Sequence, residues 1–173
     1  MGHWSYYRRR GGKSLVLPPP PPPSIKQDLG IPHTGNNAFD GQLAVAFQVP
    51  AVPSYLLTAI SMYLFKTGTQ SGTWKYELWS NSAGSPGTKL SESATTNVSA
   101  LPNAPGGYYK LDVPPVGLVL GVPYWFVLRG STLANIGLWY RTVAGHNSKV
   151  TSNDVSWGLW ASDREYQMQL WGS

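Results

Sequence analysis

From residue 42 onward, apolar and polar positions alternate with a period of two in short runs separated by clusters of Gly, Pro, Asn and Ser. Such a period sends successive side chains to opposite faces of a strand. Residues 42–49 place Leu43, Val45, Phe47 and Val49 on one face and Ala44, Ala46 and Gln48 on the other, and Pro50 and Pro53 stop the run. Residues 56–66 are apolar on both faces, with Leu56, Ile60, Met62 and Leu64 against Leu57, Ala59, Tyr63 and Phe65. That pattern predicts a central or covered strand. Residues 74–79 set Trp74, Tyr76 and Leu78 against Lys75, Glu77 and Trp79, and residues 81–88 have the chemistry of a tight exposed loop.

Residues 89–98 predict a weak Ser/Thr-rich strand, and 101–107 a Pro/Gly loop. Residues 108–113 carry Tyr109, Leu111 and Val113 on one side and end at Pro114 and Pro115. The most apolar run, 122–129, predicts a strand in the middle of a sheet, with Pro123 confined to its entry. Strands over 136–142, 155–161 and 165–171 complete about nine in about 130 residues, without an amphipathic helix or a fixed-period repeat. The expected fold class is all-β: an antiparallel two-sheet, jelly-roll-like sandwich over residues 38–173, a barrel being the second choice. The 19 glycines and 15 prolines, about a fifth of 173 residues, disfavour helices.

Charge changes the picture upstream. Residues 1–27 hold Arg8, Arg9, Arg10, Lys13 and Lys26 and no acid, whereas the rest carries 8 basic against 8 acidic residues. The whole net charge of +5 therefore sits on a leader before a neutral body. Residues 18–23 are six consecutive prolines. Polyproline II extends about 3.1 Å per residue, which makes this a stiff spacer of roughly 19 Å. Residues 1–37 thus read as an extended basic, Pro-rich anchoring arm and linker. Its partner-binding candidates are the aromatic anchors Trp4, Tyr6 and Tyr7, the cations Arg8, Arg9, Arg10 and Lys13, and the spacer from Pro18 to Pro23. The competing readings are an undocked tail, stacking of the arm's aromatics on nucleic-acid bases, and a proline ligand for an SH3-type groove. Five charges make a weak nucleic-acid footprint.

No apolar run approaches the roughly 18–20 residues of a membrane span, and residues 15–17 are too short a stretch for a secretory signal. There is no cysteine, which excludes disulfides and Cys-ligated zinc. The eight acids are scattered, with no motif pairing two of them, so no catalytic residue is assigned and the protein is expected not to be an enzyme. Asp163 and Glu165 share a strand face beside Arg164, as at a solvated strand end. His3, His33 and His146 lack ligand spacing, and no cofactor or metal site is assigned. The weak exception is a structural calcium held by Asn36, Asn37 and Asp40, or by Asn153 and Asp154.

Among the tryptophans, Trp74, Trp125 and Trp157 fall in core phase. Trp79, Trp139 and Trp160 fall in the opposite phase, as a candidate platform for a glycan or a protein interface, with plain rim burial as the third reading.

Four stretches together resemble a known family: Phe47-Gln-Val-Pro50, Thr58-Ala-Ile-Ser-Met-Tyr-Leu64, Tyr76-Glu-Leu-Trp-Ser-Asn-Ser-Ala-Gly-Ser-Pro-Gly-Thr88 and Leu118-Val-Leu-Gly-Val-Pro-Tyr-Trp-Phe-Val-Leu128. They are similar to the choice-of-anchor β-sandwich domains over about residues 38–173. Such domains occur in bacterial surface proteins and phage virion proteins, are similar in shape to carbohydrate-binding modules, and typically lack catalytic residues. The absence of a signal peptide and a C-terminal anchor departs from the bacterial surface members. The resemblance therefore implies a structural virion protein: a capsid decoration or cement protein, a head fibre or a short tail fibre. Its arm would bind other virion proteins of capsid or tail, its sandwich would face outward as a homo-oligomer such as a trimer, and its location would be the virion assembled in the host cytoplasm. The alternative is a glycan-binding adhesion module or receptor-binding fibre tip that takes a cell-surface glycan.

Overall fold

Alternating runs become strands where neighbouring runs satisfy their backbone groups, and among the described residues the first to do so start at Ser24. The structure, a computed structural model, describes residues 22–28, 35–38, 44–49, 53–67, 71–131, 136–142, 148–151, 156–161 and 164–173. For residues 27–28, 35–38, 139–142, 150, 160–161 and 164–165 it describes the backbone alone. The strands are β1 (Ser24–Asp28), β2 (Gly35–Ala38), β3 (Ala44–Val49), β4 (Tyr55–Lys66), β5 (Thr73–Ser82), β6 (Ser85–Glu92) and β7 (Thr96–Asn97). They continue with β8 (Gly107–Leu118), β9 (Tyr124–Gly130), β10 (Ile136–Thr142), β11 (Ser148–Thr151), β12 (Gly158–Ala161), β13 (Arg164–Tyr166) and β14 (Met168–Gly172). A single turn of 3₁₀ helix spans Val98–Ala100.

All strand pairs are antiparallel, and they build two sheets. The first runs β1-β14-β4-β10-β13, with β8 also on β4 and β2 on β10. The second runs β12-β11-β3-β9-β5-β6, with β7 also on β5. The all-β, two-sheet expectation is met, and β9 lies inside its sheet between β3 and β5.

Four local features differ from the sequence reading. Residues 81–88 are not a loop: β5 turns directly into β6 through Ala83 and Gly84, both at positive φ (47° and 74°), the geometry of a two-residue hairpin turn. Pro114 and Pro115 do not end β8, which continues to Leu118. A bulge in the β4–β8 ladder between Leu57 and Ala59 accommodates them. The same bulge shifts the phase of β4, so Leu57 is buried with Ile60 while Leu56 is 41% exposed. Finally, β1 and β2 pair with β14 and β10, so the first sheet takes in residues that the charge and proline pattern assigns to the arm and linker. An edge strand needs partners on one side only, which a short polar segment such as Ser-Ile-Lys-Gln-Asp can meet.

The core fills the space between the sheets. Val45, Phe47, Trp74, Tyr76, Leu78, Phe126 and Leu128 come from the second sheet, and Leu57, Ile60, Met62, Leu64, Leu138, Met168 and Leu170 from the first. Trp74 meets Tyr109 edge to face at 5.1 Å across the gap. The Tyr76 hydroxyl donates to the Tyr109 carbonyl at 2.9 Å, and Ser91 Oγ donates to the Pro114 carbonyl at 2.9 Å, so these two polar tips end on partners.

On the outer side of the first sheet, Phe65 lies over its cross-strand partner Gly137, where a Cβ would come within 2.2 Å of the Phe65 ring. Gly137→Ala is expected to lower stability by about 1–3 kcal/mol through overpacking. A denaturant midpoint equal to wild type would show that Phe65 can move aside freely.

Candidate functional site

In β5 the inward residues Trp74, Tyr76 and Leu78 are buried, which turns Lys75, Glu77 and Trp79 to the outer face of the second sheet. Register builds rows across that face. Glu77 lies between Glu92 of β6 and Val127 of β9, Lys75 lies beside Arg129, and Trp79 lies between Lys89 and Trp125. Like charges directly opposite one another are unfavourable. Here the two carboxylates, Glu77 and Glu92, run between three cations, Lys75, Lys89 and Arg129, so each like-charged pair has opposite charges beside it.

Glu77 is the centre of this arrangement, its side chain only 2% exposed. Its Oε1 accepts from Arg129 Nε at 2.9 Å and lies 3.3 Å from Lys75 Nζ, and its Oε2 accepts from Trp79 Nε1 at 2.9 Å. The carboxylate therefore fixes the indole's orientation as well as two cations. Glu92 stands nearer the solvent, and its Oε2 accepts from both Lys75 and Lys89 at 2.6 Å. Those two ammonium groups hold its carboxyl down at about 2. Donating that hydrogen bond to Glu92, ahead of the opposing cost of burial, raises Lys75 above its ordinary value.

The β5–β6 hairpin curls over this face. Register shifts around Trp79 bend the ribbon, and Ser80 Oγ accepts from the Thr88 amide at 2.9 Å inside the bend. Asn81 Oδ1 then accepts from Trp125 Nε1 at 2.8 Å and from Gln48 at 3.3 Å. Lys149 of β11 reaches Ser85 Oγ at 2.6 Å although β3, β9 and β5 lie between them in strand order, which requires the hairpin tip to lean back across the sheet. Trp125 is consequently buried, but in a small outer cluster with Ala44, Ala46 and Val127 rather than between the sheets.

Beside this cluster lies a cleft of about 480 Å³, lined by Lys75, Glu77, Trp79, Pro86, Gly87, Lys89, Arg129 and Trp157. Trp157, expected in the core, is half-buried and meets Trp79 edge to face at 6.1 Å and 74°. The structure thus joins Trp79 to Trp157. Trp160 is on β12, with β11, β3 and β9 between it and β5, and Trp139 is on β10 of the other sheet. Their side chains lie outside the described residues. Trp4, Tyr6, Tyr7, Arg8, Arg9, Arg10, Lys13 and Pro18 also lie outside them, while Pro23 is exposed immediately before β1. Of the calcium candidates, Asn36 and Asn37 are on β2 opposite Trp139 and Leu138, and Asp40, Asn153 and Asp154 are outside the described residues.

Sequence reasoning missed the five-membered charge cluster because its members are spread from Lys75 to Arg129. The available signal was Lys75 and Glu77 sharing the polar phase of β5, with Arg129 closing an apolar run.

Two substitutions separate the roles of the carboxylates. Because Glu92 titrates lower in the folded protein, its contribution is present above its ordinary value of 4.5 and is lost as pH falls toward about 2. Glu92 is 41% exposed, so that contribution is expected at the scale of a surface pair, about 1 kcal/mol or less. The difference between wild type and Glu92→Gln should accordingly shrink through this pH window in denaturant titrations. Glu77→Gln should cost more near neutral pH, about 1–3 kcal/mol, because it weakens buried charge-assisted bonds. Equal midpoints for the two variants would contradict this ordering. Comparison with protein-family models, curated proteins and solved structures gives no match for this chain.

Proposed function

We propose that this protein is a non-enzymatic structural component of a virion, held to the particle by its N-terminal arm and displaying the sandwich outward. The observation that carries this reading is where the arm meets the fold. Pro22 and Pro23 lead into β1 at Ser24, which is paired with Gly172, itself paired with Leu57 at the start of β4. Tyr55 of β4 is in turn opposite Leu118, the last residue of β8. At this end of the first sheet the β8–β9 tip exposes Val119 (57%) and Leu120 (74%), with Val122, Leu56 and Ile25 also exposed. The segment that carries the basic, aromatic leader thus joins the fold beside an apolar rim, as a docking end would require.

The jelly-roll-like reading of the sandwich belongs to this proposal. It is supported by β3, β4 and β5, which follow one another in the chain but alternate between the sheets, so that β3 pairs with the distant β9 and β11, and β4 with β8, β10 and β14. A second reading, a glycan-binding module or receptor-binding fibre tip, is favoured by the Trp79–Trp157 cleft, which pairs aromatic rings with charged hydrogen-bonding groups.

Removing residues 1–21 spares β1 and is expected to leave the unfolding midpoint unchanged while abolishing incorporation into particles. Leu120→Asp should reduce incorporation of the full chain. Both are read by quantifying the protein in purified particles, with light scattering reporting the oligomeric state of each variant. Incorporation of the truncated chain at the full-length level would refute arm-mediated attachment.

A further inference from the structure

In the first sheet β4 carries β14 and β10 along one side and β8 along the other, and among the described residues β8 pairs with β4 alone. The outer side of β8 is thus a sheet edge. Hydrogen-bond direction alternates along a strand, and here it locates the groups on that edge. The Tyr63 amide donates to the Gln167 carbonyl at 2.9 Å, so Tyr63, and with it Ser61 and Ala59, direct their backbone groups toward β14 and away from β8. Opposite Ser61 and Ala59 stand Lys110 and Asp112. Partners in such pairs face away from one another, so the N–H and C=O of Lys110 and Asp112 point out of the sheet. The side chains beside them are exposed as well, that of Asp112 at 88%.

Edge groups of this kind are a template for another strand. The stretch that can pair is bounded by the β4–β8 bulge and by Pro114, whose carbonyl already accepts from Ser91. Charge then selects what fits. A second copy laid antiparallel about a two-fold axis opposes like charges if the axis passes through Lys110 or Asp112. Centred on Leu111, it sets each Lys110 opposite Asp112 of the other copy, with the outward backbone groups of both residues facing one another. The opposite face agrees with this register. Tyr109 and Leu111 are half-buried at the rim of the core, and the axis through Leu111 brings the two leucines together and sets Tyr109 against Val113 of the other copy. An aromatic beside a β-branched residue is a favourable cross-strand pair.

We propose that the protein forms a two-fold dimer by antiparallel pairing of β8 with β8 of a second copy, centred on Leu111, which joins the first sheets of the two molecules into one. This goes beyond the virion reading and does not depend on it. About four backbone hydrogen bonds and about five residues per copy make a small contact, so the dimer is expected to be reversible.

The test is sedimentation velocity of the full chain over a wide concentration series, in which a monomer–dimer equilibrium is expected. Asp112→Lys and Lys110→Asp should each weaken dimerisation by about tenfold or more, because the symmetry turns both charge pairs into like-charge pairs at once. An equimolar mixture of the two variants should form a heterodimer, since each lysine then meets an aspartate again. The variant carrying both exchanges should dimerise like wild type for the same reason. Unfolding midpoints establish that the variants are folded. Lys110 also lies over the Trp171 ring at 4.5 Å, so Asp112→Lys, at the more exposed site, keeps the test decisive if Lys110→Asp is destabilised. A monomer at every concentration, a trimer, or a dimer indifferent to the single exchanges would overturn the proposal. Weakened single variants that fail to pair with each other would overturn the register centred on Leu111.

Discussion

Large side chains from β5 and β9 reach across to β4, β8 and β14, and the separation of the two sheets depends on that interdigitation. Trp74, Tyr76 and Phe126 are all buried there, and with no cysteine in the chain no covalent staple shares the task. The constraint propagates outward. Because Trp74, Tyr76 and Leu78 must face inward, Lys75, Glu77 and Trp79 must face outward, and the composition of the outer surface follows from the packing of the inner one.

The outer face of the second sheet is consequently a second, polar layer with its own packing problem. Trp125 and Val127 occupy its centre and would be wet if the sheet were flat. The bulges near Trp79 bend the β5–β6 hairpin over them, and Asn81 completes the cover by accepting from the Trp125 indole. Bending brings Lys89 and Glu92 beside Lys75 and Glu77, so one distortion both buries an aromatic ring and assembles the charge cluster. The cleft is the concave side of that bend.

In β5 the phase was legible from alternation alone, for Trp74, Tyr76 and Leu78 are apolar where Lys75 and Glu77 are charged, whereas β9 is buried on both faces and alternation could not show that Trp125 belongs to the outer one. The Leu56/Leu57 exchange was not legible either, since a bulge leaves no mark in composition and reverses the phase beyond it. Ala83 and Gly84 looked like a loop because turn residues read the same whether the flanking strands are long or short. Pro114 and Pro115 looked like a stop because their tolerance depends on an edge position, which is a property of the sheet. Trp157 and Trp79 fell on opposite sides of the core-or-surface division, yet they meet in one cleft. That contact belongs to the curvature of the hairpin and to a segment about 78 positions away in the chain.

The pairing of β1 with β14 has a mechanical consequence. Four residues of β1 are in register with β14, from Ser24 opposite Gly172 to Asp28 opposite Gln169. Tension applied upstream of Ser24 along the strand axis would load these hydrogen bonds in shear, so that they resist as a set. The same tension applied at right angles would peel them apart one after another. How firmly the sandwich stays attached to whatever holds its leader thus depends on the direction of pull as much as on its size.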